Sequence, residues 1–356
     1  MYNDYKFWKG KKVLITGHTG FKGSWLSLLL KEFGAKVYGY SLKPEKNFLY
    51  DLADLDEIFE KSIIGNILDK QKLKASIKKI EPNVIFHLAA EPLVIDSYTN
   101  PEKTFNVNFI GTLNLLESIK IYNKKLKTLI IVTTDKVYKI LKNNPNYNEN
   151  HSIGASDPYG TSKACVELLA ETYFNSFLKK KKINIFTARA GNVIGGGDFS
   201  KNRIIPDYLR SINKNRKLII RNPNHIRPWQ YVLEPLYGYT LLVKKNYLNN
   251  RTFSSWNFSP TKSNTVKVKT LISIFQAYNK KKNKIKIIFS KNNKNKLKET
   301  KILRLNSNKS KKKLKIKLKF DLNTTVKSIL EWNQRVKIEN YFDVSTDTIK
   351  KFLDKK

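Results

Sequence analysis

Residues 13–26 read Val13-Leu14-Ile15-Thr16-Gly17-His18-Thr19-Gly20-Phe21-Lys22-Gly23-Ser24-Trp25-Leu26. A short apolar run stops at a glycine, glycines return at every third position, and a helix-like stretch, Ser24–Phe33, follows at once. Glycines at a strand-to-helix junction allow a tight turn and let backbone N–H groups approach a pyrophosphate, which then sits on the positive end of the helix. The spacing alone is a weak pattern, and the strand–turn–helix context is what gives it meaning. Gly17, Thr19, Gly20, Phe21, Lys22 and Gly23 are therefore expected to cradle a dinucleotide.

Outward from this junction the first half alternates buried runs with amphipathic ones. Val13–Thr16, Lys36–Tyr40, Val84–Leu88 and Leu129–Thr133 read as strands, and Ser24–Phe33, Lys70–Lys79 and Phe109–Tyr122 as helices. A further strand, Ile183–Ala188, follows a helix beginning near Tyr159. Such alternation implies an α/β fold, a Rossmann-type doubly wound parallel sheet. After Gly191 the pattern turns irregular, so a smaller C-terminal lobe is expected there. The expected division is a dinucleotide-binding domain over 1–190 with a return segment at about 229–258, and a smaller lobe over 191–228 and 259–345.

Ligands of open α/β sheets bind at the carboxyl ends of the strands. The second strand ends Tyr38-Gly39-Tyr40-Ser41-Leu42, without the acid that commonly reads an adenosine ribose, so this rule leaves NAD against NADP open. In Gly65-Asn66-Ile67-Leu68-Asp69, Asn66 is either an adenine contact or a turn residue, with Ile67 beside it. His87-Leu88-Ala89-Ala90 closes the fourth strand. Leu88, Ala89 and Ala90 would let the backbone lie against the cofactor, and His87 reads as a satisfied core histidine.

The chain has 356 residues, 40% hydrophobic, and a formal charge of +39. No apolar run approaches the roughly 20 residues of a membrane span, and the start shows no signal segment, so a cytoplasmic protein without a membrane partner is expected. The single cysteine, Cys165, excludes an internal disulfide and a cysteine metal site, and no metal is expected. A field of this sign attracts polyanions. Yet the lysines are dispersed and travel with Asn and Ile, as in NKKKNKIKIIFSKNNKNKLK (279–298), and between Thr261 and Phe320 the one acid is Glu299. That composition reads as a solvated surface, with no specific nucleic-acid partner.

The chemistry is carried by Tyr159-Gly160-Thr161-Ser162-Lys163, preceded by Thr133-Thr134-Asp135-Lys136-Val137-Tyr138. Residues four apart share a helix face, so Lys163 stands beside Tyr159 and is expected to lower its phenol pKa. Thr134 ends its strand at the same rim, where its hydroxyl would hold the oxygen that Tyr159 deprotonates. Asp135 and Lys136 offer an acid and a base beyond those needed to oxidise an alcohol.

Glycine loop, strand-end hydroxyl and Tyr-x-x-x-Lys in this order resemble the extended short-chain dehydrogenase/reductase superfamily. Thr134-Asp135-Lys136, the stretch Thr187-Ala188-Arg189-Ala190-Gly191-Asn192-Val193-Ile194-Gly195-Gly196-Gly197-Asp198-Phe199, Arg203-Ile204-Ile205-Pro206-Asp207 and Ile226-Arg227-Pro228-Trp229-Gln230 resemble its CDP-glucose 4,6-dehydratase branch. The resemblance implies bound NAD, CDP-glucose as substrate, and a homodimer built from helices near 108–122 and 160–178. It implies roles for Thr134, Asp135, Lys136, Tyr159 and Lys163 in catalysis. It further implies that the smaller C-terminal lobe is nucleotide-sugar-binding, that Asn192 and Arg227 bind pyrophosphate, that Arg203 faces the nucleotide, and that the product feeds deoxysugars of surface polysaccharides.

Two departures stand out. The family's Gln and Arg-Arg-Ser-Tyr are Glu91 and Ile95-Asp96-Ser97-Tyr98 here, and its Leu-Asp-x-Ser-Lys is Leu305-Asn306-Ser307-Asn308-Lys309, which is expected to weaken lobe closure. The alternatives are a sugar-nucleotide 4-epimerase, which needs Tyr159 and Lys163 but not the Asp–Lys pair, and a basic NAD-binding protein without catalysis.

Overall fold

The structure, a computed structural model, describes residues 2–122, 124–143, 145–249, 251–260, 262–279, 285–289, 302 and 304–355. Most of the lysine-rich stretch 279–298, and Glu299 beyond it, lie outside the described residues.

Among the described residues a seven-stranded sheet forms the centre. Its strands are β1 (Lys12–Thr16), β2 (Lys36–Ser41), β3 (Lys61–Ile64), β4 (Val84–His87), β5 (Thr128–Val132), β6 (Asn184–Ala190) and β7 (Phe253–Phe258). All neighbours are parallel, in the order β7-β6-β5-β4-β1-β2-β3. Every residue of β4, β5 and β6 is buried, as strands covered on both faces require. Alternate side chains feed two cores. Val13, Ile15, Ile130 and Val132 join a cluster with Trp25, Leu29, Trp256 and Phe352, whereas Leu14, Leu129 and Ile131 join Leu115, Val166 and Phe174 on the other face. The order reverses between β1 and β4, which sets the glycine turn after β1 beside Leu88–Ala90 after β4.

The expected helices are present over Phe21–Glu32, Lys70–Ile80 and Pro158–Tyr173. The one expected from Phe109 differs: Gly111–Ile121 continues from a wider π turn, Asn106–Ile110, itself continuous with Pro101–Phe105. Such turns gather at functional sites. This one aims Asn108 at the Glu91 backbone, whose N–H it accepts at 2.8 Å, and at Ser162 Oγ, to which it donates at 2.9 Å. Beyond Gly191 come the helix Ile204–Asn213 and short paired strands, Val193–Ile194 with Gln230–Tyr231, Leu218–Ile220 with Ile287–Phe289, and Ile226–Pro228 with Thr265–Lys267. The final helix, Tyr341–Asp354, sends Val344, Ile349 and Phe352 into the core cluster that holds Trp25. Among the described residues no helix is long and apolar enough to cross a membrane.

Candidate active site

Gly17 has φ +77°, and a Cβ there would lie 2.7 Å from the Ala89 backbone nitrogen. At Gly23 a Cβ would fall 2.1 Å from the Gly17 carbonyl oxygen. The helix Phe21–Glu32 starts from Gly20, which carries no capping side chain. Bare backbone, close strand-to-helix approach and an uncapped helix start are what a dinucleotide pyrophosphate needs. Thr19 Oγ1 pairs with Ser41 Oγ at 2.9 Å, at the end of β2. Gly17→Ala is expected to destabilise the chain by at least about 1–2 kcal/mol from the left-handed backbone alone, before the Ala89 clash is added. Urea unfolding of the variant measures this, and an unchanged midpoint would contradict it.

Asn66 is exposed, and its Oδ1 accepts the Leu68 N–H at 3.0 Å, so the structure gives it turn geometry. Ile67 is buried against Gly111, while Leu88, Ala89 and Ala90 are half-buried at the rim. His87 is the satisfied core histidine expected: Nδ1 pairs with Thr16 Oγ1 at 2.7 Å and Nε2 with Thr112 Oγ1 at 3.0 Å. Burial, aided by the Lys163 charge, pushes it down to about 3, so it stays neutral.

The helix Pro158–Tyr173 is started by Asp157, whose Oδ1 accepts the Gly160 N–H at 2.8 Å, with Pro158 in the first turn. This sets Tyr159 at the helix mouth, its own N–H donating to Ser97 Oγ at 3.2 Å. Thr134, at the end of β5, caps a single 3₁₀ turn, Asp135–Val137. Its hydroxyl donates to Asp135 Oδ1 at 3.1 Å and is paired with the Tyr159 phenol. The structure thus brings Thr134, Asp135, Lys136, Tyr159 and Lys163 to one rim.

The Tyr159 expectation needs correction. Burial pushes the phenol up to about 12, with Thr134 and Arg203 acting in the lowering direction and Asp135 raising it. The Lys163 ammonium instead donates to the Val132 carbonyl at 3.2 Å. Burial and the Lys22 charge hold Lys163 down to about 8, opposed by Glu167. Lys22 itself falls to about 8 through burial and Arg203, with Asp135 opposing. The glycine loop therefore contributes a cation to the rim that holds Asp135 and Lys163, where Lys22 was expected only at the cofactor.

Asp135 is 4% exposed, and its Oδ2 has no hydrogen-bond partner among the described residues. Burial raises its pKa against the lowering pull of Lys136, Thr134, Arg227 and Lys22. A carboxyl kept toward its protonated form, with one oxygen free, is suited to give a proton away.

Of the residues expected at the substrate, Asn192 is exposed and Arg227 is buried, its charge felt by Asp135. Arg203 precedes the helix Ile204–Asn213 and pairs with Asp198 at 3.2 Å, while its charge acts on Tyr159 and Lys22. Trp229 is packing, 3% exposed with Nε1 donating to the Val266 carbonyl. Glu91 pairs with Lys103 at 2.7 Å, which offsets one of the acids gained in that loop. At 305–309, where the sequence departs from the family, local partners are in place. Asn306 Oδ1 caps the Asn308 N–H at 2.9 Å as a carboxylate oxygen would, and Lys309 Nζ donates to the Ser255 carbonyl at 2.7 Å.

A buried network beneath the rim escaped the sequence reading. Arg189 Nε and Nη2 donate to the two Glu167 oxygens, each at 2.9 Å, and Thr133, Thr187 and Ser255 complete the carboxylate's partners. Burial works to raise Glu167, yet Arg189 and the hydroxyls hold it below its usual range. The available signals were an arginine inside the apolar strand Asn184–Ala190 and a glutamate one turn beyond Lys163.

Residues 14–339 match the family described as GDP-mannose 4,6 dehydratase. The chain belongs to this family. Within it, the chain is 47% identical over 264 residues to a CDP-glucose 4,6-dehydratase of Salmonella typhimurium, covering 72% of this chain and 73% of that one. It is 30% identical over 262 residues to a dTDP-D-glucose 4,6-dehydratase of Dictyostelium discoideum, covering 67% of this chain and 57% of the relative. An epimerase structure from Methanothermobacter thermautotrophicus shares the fold with a TM-score of 0.78 at 21% identity, over 98% of this chain and 97% of the other. A UDP-glucuronic acid 4-epimerase from Bacillus cereus, solved with UDP-glucuronic acid and NAD, does so with a TM-score of 0.76 at 22% identity, over 91% of this chain and 99% of the other. The family membership agrees with the dehydratase branch read from Thr134-Asp135-Lys136, and the fold agrees with the doubly wound sheet.

Proposed function

We propose that this chain is a CDP-glucose 4,6-dehydratase, a hydro-lyase that converts CDP-D-glucose to CDP-4-keto-6-deoxy-D-glucose. The observation that carries the reading is Asp135, buried with a raised pKa and a free oxygen, one residue from Lys136 and linked through Thr134 to Tyr159. An epimerase has no use for that acid. The identity with the Salmonella CDP-glucose enzyme supports the nucleotide choice.

The glycine cradle fits NAD, held by Gly17, Thr19, Gly20, Phe21, Lys22 and Gly23, with Asn66, Ile67, Leu88, Ala89 and Ala90 along the rim. When bound, NAD supplies the acceptor for the C4 hydrogen, its return to C6, and a cationic ring whose charge offsets burial at the phenol. Tyr159 takes the C4 hydroxyl proton while Thr134 holds that oxygen, and Lys163 keeps positive charge beneath them. Ketone formation at C4 acidifies the C5 hydrogen, which Lys136 removes. Asp135 protonates the departing C6 hydroxyl, so water leaves, and as C6 is reduced Lys136 gives its proton back to C5. Asn192, Arg203 and Arg227 hold the nucleotide sugar, guanidinium forks suiting phosphate oxygens.

A second copy is the proposed partner. Ile121 on the helix Gly111–Ile121 is 50% exposed, and Leu168 on the Pro158–Tyr173 helix is 55% exposed, with Ile110 just before the first helix and Phe177 just after the second also open. Apolar residues exposed on two neighbouring helices need a cover. The reading also places the enzyme in the cytoplasm, supplying deoxysugars for surface polysaccharide.

The test is incubation of the protein with CDP-glucose, UDP-glucose and dTDP-glucose, following product mass. Loss of one water from CDP-glucose alone is expected. An isomer of unchanged mass would make the protein an epimerase, and no turnover of any substrate would reject an enzymatic role on these sugars.

A further inference from the structure

The dehydratase reading asks two chemistries of one sugar, and the groups for them come from different elements. Tyr159 and Lys163, for oxidation, stand on the helix Pro158–Tyr173, whereas Asp135 and Lys136, for elimination, stand on the 3₁₀ turn after β5. The direct side-chain link described between them runs through Thr134. We propose that Arg189, on β6, is the positioning residue that fixes the Asp135–Lys136 turn against the Tyr159–Lys163 helix.

One guanidinium grips both. Its Nε and Nη2 hold Glu167, one turn beyond Lys163, and its Nη1 donates to the Tyr138 hydroxyl at 2.9 Å, immediately after the 3₁₀ turn. Tyr138 passes the bond on, donating to Asn257 Oδ1 at 2.7 Å, and Asn257 Nδ2 donates to the carbonyls of Tyr147 and Asn306 at 2.9 and 3.1 Å. Arg189, Glu167, Tyr138 and Asn257 are all nearly or fully buried, so water cannot substitute for a lost partner. The planar fork is what lets one side chain satisfy two directions at once, and a lysine ammonium cannot reproduce it. Arg189 acts through Tyr138 and Glu167 and touches no reacting atom in this scheme.

The mildest test is Tyr138→Phe, which keeps the ring and its stack on Tyr147 at 5.2 Å and deletes the hydroxyl alone. Loosening the turn should slow elimination while leaving oxidation. Dehydration of CDP-glucose should fall about 10- to 100-fold, the scale of a small misplacement of a catalytic group. At the same time the isotope effect from deuterium at C5 should grow and that from deuterium at C4 should shrink, because elimination has become the slow step. Arg189→Lys should behave alike. In the free protein of both variants, amide exchange over residues 134–139 should quicken more than over 158–173. An unchanged rate, or a uniform fall with both isotope effects as in the native protein and no selective exchange, would overturn the proposal. If the native protein dehydrates none of the sugars, the dehydratase reading fails first, and the exchange comparison then decides Arg189 on its own.

Discussion

Asp135→Asn is expected to cut dehydration by about 10²–10⁴-fold, the usual weight of a positioned acid, while making the free protein more stable at neutral pH. Burial raises the Asp135 pKa in the folded state. Between the ordinary carboxylate value and that raised value the folded chain binds more protons than the unfolded one, so stability falls as pH rises through this window. Above the ordinary carboxylate value the native fold must either hold a proton that the unfolded chain has released or bury a carboxylate, a cost that the amide avoids. The variant's advantage should shrink as pH drops below the ordinary carboxylate range, where both states are protonated. C4 oxidation should survive, because the Asp135 charge raises Tyr159, and removing it lowers the phenol. Urea midpoints across pH, read beside product mass, check both halves. A less stable variant, or one with native dehydration, contradicts the assignment.

Glu167→Gln should be the most damaging change to stability, costing about 3–5 kcal/mol, as breaking a buried ion pair from one side does. The Arg189 guanidinium would stay 4% exposed with a neutral partner. Replacing both, Glu167→Leu with Arg189→Met, should recover much of that loss, since apolar pairs of similar volume tolerate such sites. Activity should not return with it, because Tyr138 still lacks its donor. Lys163 also loses the acid that raises its pKa, so the single variant should hold less charge there above about pH 7 than the native protein, whose Lys163 sits at about 8. Thermal unfolding of the two variants beside the native protein settles the first part, and a double variant with native turnover would refute the second.

The parallel sheet was legible because β1, β4 and β5 are apolar runs bounded by glycine or polar residues, and burial on both faces demands such runs. Tyr159 and Lys163 were legible because one helical turn separates them, and the Asp157-Pro158 start confirms their face. The Arg189 network was not, since Tyr138 and Asn257 stand 119 residues apart and no periodicity couples distant polar groups. The direction of the Tyr159 shift was missed for a related reason. A neighbouring ammonium is visible in sequence, but how far the fold withdraws the phenol from water, and where that ammonium finds its own acceptor, are not. The π turn at Asn106–Ile110 is a tertiary outcome too, set by Asn108 reaching Glu91 and Ser162.

The open apolar side chains on the Gly111–Ile121 and Pro158–Tyr173 helices acquire an unusual setting from the formal charge of +39. Two such bodies repel one another at long range, while the contact that would join them is short-ranged and indifferent to salt. Added electrolyte shortens the reach of the repulsion to about 8 Å at physiological strength and leaves the apolar contact untouched. Self-association of this chain should therefore tighten as ionic strength rises, behaving as a colloid approaching coagulation rather than as a complex held by ion pairs.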